Sequence, residues 1–333
     1  MKVSKIVLAL AAAALIFGTT GCSKKKGAGD KKVKIGIAKI VQHVALDAVE
    51  QGVIDVLKEN GVDAEYDLQN ANGDVNTASQ IADKYRDEGV DVAVGIATPV
   101  ALALAQSIKD IPVVFGTVTD PLGAGLVTTL EHGEGNVTGM SDAIPTAQHI
   151  ELFKKIAGIK TLGYIYTSNE ANSVSSLALV QDACKDLEIE LVTQSITNSS
   201  EVKQAAETIV DRVDGIYLTT DNTVFSALSS LIEVFNKAKK PIFSGDVTGA
   251  QNGGCFMANG FNYYKAGRAT GEMVLKILNG TAPSEIPVRF MTEPSDSDLL
   301  FDLDVAKDCG ITIPQEYLDA ANMIFQDGKL TTK

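Results

Sequence analysis

The side chains with chemistry to offer fall in clusters, and each cluster follows a short apolar run. Ala97-Thr98-Pro99 follows Val94-Gly95-Ile96, and Gly116-Thr117-Val118-Thr119-Asp120-Pro121 follows Val113-Val114-Phe115. Thr167-Ser168-Asn169-Glu170-Ala171-Asn172-Ser173 follows Tyr164-Ile165-Tyr166. Thr219-Thr220-Asp221-Asn222-Thr223 follows Ile216-Tyr217-Leu218, and Ser244-Gly245-Asp246 follows Ile242-Phe243. Hydroxyls beside the free N–H groups of a helix start suit a carboxylate, and Asp221 or Asp246 suits an ammonium group. Together the clusters fit a small zwitterion or an anion. Singly, Thr98, Asn172, Ser173 and Asp221 each also fit the cap of the helix that follows. His43 and Asp47, four residues apart, read either as a weak helix-surface pair or as a rim group, His43, facing the same cleft. Tyr166, Phe225, Phe243 and Phe261 are candidate walls for an apolar ligand group, or core.

The elements that must position these clusters are legible as alternating short apolar runs and amphipathic segments. Strands are expected at 33–37, 63–68, 90–96 and 111–116, with helices at 46–60, 77–88 and 99–109 between them. This is the βαβ rhythm of a parallel sheet covered by helices on both faces. It restarts after residues 133–145: helices at 146–156, 173–187, 200–210 and 224–237 alternate with strands at 161–166, 189–193, 215–219 and 241–245. A further helix is expected at 263–278. Two α/β halves imply two lobes, and in open parallel sheets ligands bind beyond the carboxyl ends of the strands, where the polar clusters lie.

Composition narrows the function. Hydrophobic residues make up 45% of 333 residues, enough for two cores rather than one. A Trp-free chain with net charge −13 is a poor partner for nucleic acid, which rewards clustered Lys and Arg. The cysteines are Cys22, Cys184, Cys255 and Cys309, and the histidines His43, His132 and His149. None has metal-ligand spacing, so neither metal nor cofactor is expected. The chain carries no GxSxG, GxxxxGK[ST] or HExxH motif, which argues against an enzyme.

The first residues bear on location. Lys2 and Lys5 precede an apolar run from Ile6 to Phe17, and small residues lead to Gly21-Cys22. That pattern is a secretory signal peptide, too short for a stable span. Its end resembles a bacterial lipobox, with Thr19 where Leu is usual. The resemblance implies removal of residues 1–21, lipidation of Cys22, and a tether at 22–32 leading from the membrane.

A wider resemblance rests on several runs. Ile35-Gly36-Ile37 followed by His43-Val44-Ala45-Leu46-Asp47 resembles the opening of ABC-transporter substrate-binding proteins of the tryptophan/tyrosine type. So do Ala97-Thr98-Pro99-Val100-Ala101, Thr117-Val118-Thr119-Asp120-Pro121 with Gly123-Ala124-Gly125-Leu126-Val127, Asn136-Val137-Thr138-Gly139, Thr220-Asp221-Asn222-Thr223-Val224, and Tyr263-Tyr264 through Gly267. Val44 replaces the family's Pro, and Asp246 stands where many members carry Glu. The resemblance implies a type I periplasmic-binding-protein fold: two doubly wound parallel-sheet lobes joined by a hinge. The first lobe would take 33–142 and about 253–287, the second 143–252 and about 288–330. It implies a monomeric, lipid-anchored, extracytoplasmic carrier that closes on an amino acid, aromatic by the family's habit, and serves an ABC permease and its ATPase. Alternatives are a ligand-sensing lipoprotein of the same fold, or a carrier for another small polar ligand. The resemblance places His43, Thr98, Thr117, Asp142, Tyr166, Ser168, Asn172, Ser173, Asp221, Asn222 and Asp246 at the ligand.

Overall fold

The apolar runs become the central strands of two sheets in the computed structural model, which describes residues 32–291 and 293–333. The expected leader, Cys22 and most of the tether lie outside the described residues. The first sheet contains β1 (Val33–Lys39), β2 (Ala64–Asn70), β3 (Val92–Ile96), β4 (Val113–Gly116) and β5 (Val137–Ser141). The second contains β6 (Thr161–Thr167), β7 (Glu190–Ile196), β8 (Gly215–Leu218), β9 (Ile242–Ser244) and β10 (Met257–Phe261). Three later strands extend it and one returns to the first sheet: β11 (Arg289–Phe290), β12 (Ser297–Asp302), β13 (Met323–Gln326) and β14 (Lys329–Thr332). The orders are β11-β5-β4-β3-β1-β2 and β14-β13-β12-β10-β9-β8-β6-β7. Each lobe therefore repeats one doubly wound core, second-first-third-fourth-fifth, with its switch point beside the strand that opens the lobe. The first sheet is parallel throughout, whereas β12 runs antiparallel to β10, and β14 to β13.

Helices α1 (Val44–Glu59), α2 (Val75–Glu88) and α3 (Thr98–Ser107) cover the first sheet. Helices α4 (Thr146–Ala157), α5 (Ala171–Asp186), α6 (Val202–Ile209), α7 (Asn222–Ser226) and α8 (Leu228–Lys237) belong to the second lobe. They are followed by α9 (Tyr263–Leu278), α10 (Leu303–Asp308) and α11 (Gln315–Ala320). The chain crosses between lobes after β5, after β10 and after β11. Past the first crossing, Ile150 and Phe153 of α4 are buried in the second lobe's core with Tyr217 and Phe243. Past the second, α9 lies against α1 so closely that a Cβ on Gly267 would stand 2.2 Å from the Val49 carbonyl oxygen. Only glycine permits that approach. Among the described residues no helix is long and apolar enough to cross a membrane.

The structure corrects several expectations. β10 pairs with β9, so residues 257–261 join the second sheet rather than the first lobe. β11 pairs with β5, which returns Arg289 and Phe290 to the first sheet. Within 133–145 the structure adds β5, ahead of the first crossing. The helix expected at 224–237 is two helices, parted at Ala227, whose φ of −122° lies outside the helical range. Cys184, Cys255 and Cys309 are unbridged.

Candidate functional site

The carboxyl ends of β1, β3, β4 and β5 face those of β6, β8 and β9 across a cavity with an empty volume of about 410 Å³, part of it open to solvent. Two contacts close it. The hydroxyls of Thr119 and Thr220 lie 3.0 Å apart from opposite lobes. The His43 ring meets Phe225 edge-on at 5.6 Å.

The first lobe's rim offers donors that nothing in the protein uses. Ala97 occupies the cap position of α3 and provides no side-chain cap, while Pro99 sits in the first turn. Thr98 is thus the first helical residue rather than the expected cap. Its hydroxyl is buried without a hydrogen-bond partner, as is that of Thr117. The backbone turns sharply to present them: Ala97 has φ +74° and Thr117 φ +53°. Such conformations cost a non-glycine residue about 1–3 kcal/mol, and they concentrate at functional sites. His43 caps α1, its Nδ1 accepting from the Ala45 N–H at 3.3 Å. Asp47 is taken by Lys39 at 2.6 Å, so the expected side-chain pairing with His43 gives way to a lysine bridge.

The floor is Asp142, where the chain leaves the first sheet. It accepts from Thr119 at 3.0 Å and from the Tyr263 hydroxyl at 3.4 Å. Burial pushes its carboxyl up to about 6, against the lowering influence of Thr119.

The second lobe's rim is built on carboxylates. Asp221 caps α7, and both its oxygens are occupied. Oδ1 accepts from the Thr167 hydroxyl (2.7 Å) and the Val224 N–H (2.9 Å), Oδ2 from the Thr167 N–H (2.7 Å) and the Ser173 hydroxyl (2.5 Å). A carboxylate with four donors has filled its lone pairs; that corrects the expectation that Asp221 would take an ammonium directly. Asp246 keeps more in hand: its Oδ1 accepts from the N–H and hydroxyl of Thr248. Burial pushes the Asp246 carboxyl up, against the lowering influence of the facing His43 and of Thr248. Asn172 donates its Nδ2 to the Thr220 carbonyl (2.9 Å) and to Glu170 Oε2 (3.3 Å). Its Oδ1 is buried without a partner.

Eight expected residues line the cavity: His43, Thr98, Thr117, Asp142, Asn172, Asp221, Asn222 and Asp246. Three do not. Tyr166 stacks on Tyr164 at 6.2 Å. Ser168 is exposed and donates to the Ile196 carbonyl. Ser173 lies behind Asp221. Of the expected walls only Phe225 is present; Phe243 is core, packed on His149, Phe153 and Tyr217, and Phe261 lines a separate hollow at the crossings. Thr119, Thr220 and Tyr263 add to the polar lining. They stand inside runs singled out in the sequence, Thr119 and Thr220 in the loops that follow β4 and β8 and Tyr263 at the start of α9. Among the described residues no three His, Cys, Asp or Glu side chains are grouped to hold a metal.

Two doubly wound lobes closed on a polar cavity define a type I periplasmic binding protein. The family model for ABC transporter substrate binding proteins matches residues 34–324, and the chain belongs to that family. It is similar to the tyrosine-binding protein of Clostridioides difficile strain R20291, 34% identical and covering 86% of this chain and 88% of that one. A crystal structure of an ABC domain in complex with L-Trp from Streptococcus pneumonia superposes with a TM-score of 0.84 at 31% identity, over 89% of this chain and all of that chain. A ligand-free, open substrate-binding protein with adhesive properties from Clostridium difficile superposes at 0.63, with 35% identity, over 84% and 96% of the two chains. Identity is nearly the same in the two structures, so the better fit to the ligand-bound one agrees with the lobe contacts described above.

Proposed function

We propose that this chain captures an aromatic amino acid by closing its lobes around it and delivers it to an ABC permease and its ATPase. One observation carries the reading: unpartnered hydroxyls, Thr98 and Thr117, face an unpartnered carbonyl, Asn172, and a rim of carboxylates with no lysine or arginine among the described residues that line the cavity. A zwitterion answers both rims at once, its carboxylate at the first lobe and its ammonium at the second. Asp142 and Asp246 supply the charge for the ammonium. Phe225, Leu46, Val41 and the His43 ring form an apolar wall against which an aromatic side chain packs. Two names support the aromatic class, that of the tyrosine-binding relative and that of the L-Trp complex. A ligand that touches both lobes stabilises the closed state over the open one by its differential contacts. The carrier works outside the cytoplasmic membrane as a monomer, and lipid on Cys22 holds it near the permease, raising the effective concentration without a new contact.

The test is thermal unfolding of the purified protein against each amino acid. Ligand at a hundred times its dissociation constant adds about 2.7 kcal/mol. A rise confined to Tyr, Trp or Phe is expected. A rise from another compound class, with every amino acid silent, overturns the aromatic assignment and leaves the fold untouched.

A further inference from the structure

Glu170 is buried behind the second lobe's rim and does not line the cavity. Its oxygens are ringed by donors. Oε1 accepts from the Thr223 N–H (3.0 Å) and hydroxyl (2.6 Å). Oε2 accepts from the Asn222 N–H (3.3 Å), the Asn222 side-chain amide (2.6 Å) and the Asn172 side-chain amide (3.3 Å). Each oxygen faces a backbone N–H, which can only donate, so the arrangement suits an ionised carboxylate. An ionised carboxylate accepts and cannot donate. The two asparagines must therefore turn their NH2 groups toward it, and an amide so held carries its carbonyl on the opposite side. For Asn172 that carbonyl is the buried oxygen left without a partner.

We infer that Glu170 is a positioning residue: by holding the NH2 group of Asn172 it helps leave that side chain's carbonyl oxygen for the cleft, so that the second lobe presents an acceptor and selects a ligand bearing an ammonium group. The inference rests on the zwitterion reading above and adds to it the residue that sets the polarity of the ammonium side. Asn172 can turn either face to a ligand; fixed this way it rewards a donor and rejects a second acceptor. A site built to hydrogen-bond one group discriminates strongly against the analogue that lacks it. Glu170→Gln replaces an obligate acceptor with an amide that can face either asparagine with its own NH2, and so removes one of the two acceptors that orient Asn172, the Thr220 carbonyl at 2.9 Å being the other.

The experiment measures dissociation constants of matched pairs, tyrosine with 3-(4-hydroxyphenyl)propionate and tryptophan with indole-3-propionate, on the wild type, Glu170→Gln, Asn172→Ala and the double variant. Glu170→Gln is expected to reduce the preference for the amine-bearing member by about tenfold or more. In the Asn172→Ala background the same change should have a smaller effect, because Glu170 acts through that side chain. A merely structural role weakens both members of a pair alike; an unchanged ratio in Glu170→Gln overturns the inference while leaving the amino-acid reading intact. A wild type that binds neither pair overturns the reading itself. Orientation is read separately, without ligand or variant, from exchange of the Asn172 side-chain amide protons by NMR. Protection in the free protein is expected, and rapid exchange, which would put that NH2 in the open cleft, overturns the inference even if Glu170→Gln does not fold.

Discussion

The two rims of the cleft are built from similar residues to opposite effect. On the first lobe, Thr98 and Thr117 hold their hydroxyls buried and unpartnered, on backbone forced to positive φ at Ala97 and Thr117. On the second, Asp221 and Glu170 are surrounded by as many donors as their oxygens can take. One rim is strained and has unpartnered hydroxyls; on the other, the carboxylates of Asp221 and Glu170 are filled and the Asn172 carbonyl is left open. Recognition is thus divided: the first lobe has hydrogen bonds still to make, while the second uses buried charge to fix the few acceptors it exposes. Neither rim alone matches a zwitterion, and that is why closure should depend on the ligand.

Substitution on each side separates stability from binding. Asp221→Ala strands the Val224 N–H and two hydroxyls in the interior and leaves the Thr167 N–H only the Ser173 oxygen, at 2.9 Å. Unsatisfied buried donors cost about 1–3 kcal/mol each, so the unliganded protein should lose about 3–5 kcal/mol, read from denaturant unfolding. Wild-type stability with binding abolished would instead put Asp221 on the ligand. Thr98→Val should do the reverse. No protein partner is lost, so unliganded stability stays level or rises slightly, while affinity falls about tenfold, measured by calorimetry. Unchanged affinity would remove Thr98 from the site.

A smaller effect tests the strain on the first rim. Ala97→Gly accepts the φ of +74° without a Cβ clash. Relief of strain outweighs the extra freedom glycine brings to the unfolded chain, for a net gain of about 1 kcal/mol. A loss of that size would mean that the surrounding structure, not the residue, sets this turn.

Much of this was legible in the sequence, and the omissions have physical causes. The βα units stand out because strands buried on both faces read as apolar runs ending in helix-starting residues, as at Val113-Val114-Phe115 and Ile216-Tyr217-Leu218. β5 and β10 do not, since Thr138-Gly139 and Asn259-Gly260 interrupt the apolar pattern where backbones pack closely. A Cβ on Gly139 would lie 2.1 Å from the Phe115 carbonyl oxygen, and one on Gly260 2.4 Å from that of Gly245. The polar clusters marked the cleft, but not which members face it. Whether Asp221 is free or filled depends on Thr167, 54 residues away, and Ser173, 48 away. Glu170 lay in plain sight between Ser168 and Asn172 and read as one more polar loop residue, because its partners Asn222 and Thr223 come from another strand's end.

The smallest expected effect sets the cleft floor against the interior of the second lobe. Asp142 is pushed up to about 6 by burial, and His149 down to about 4 for the same reason. His149 is held between the Tyr217 hydroxyl at Nδ1 (2.9 Å) and Asn259 Oδ1 at Nε2 (3.0 Å). Since Asn259 Oδ1 can only accept, Nε2 carries the proton and Nδ1 accepts from Tyr217. Below about pH 6.5 the unfolded chain protonates this histidine and the folded chain does not, so acid removes stability down to about pH 4. Asp142 has the opposite sign. Below about pH 6 the folded chain takes up a proton that the unfolded chain refuses until near 3.8, so acid adds stability over that window. At pH 5.5 each contribution is about 1 kcal/mol relative to pH 7. Glu170, Asp221 and Asp246, raised by burial, push in the same direction as Asp142, so the groups are best separated by difference. From pH 7 to 5.5, His149→Gln should gain stability relative to the wild type, and Asp142→Asn should lose it. Binding adds a second readout, because protonating Asp142 removes negative charge from the floor where an ammonium would sit. Affinity for an amino acid should therefore weaken below about pH 6 in the wild type and fall less steeply in Asp142→Asn, where Asp246, also raised by burial, still takes up a proton. Parallel pH profiles in the two proteins would remove Asp142 from the ligand's charge balance and leave it only a link between the crossings.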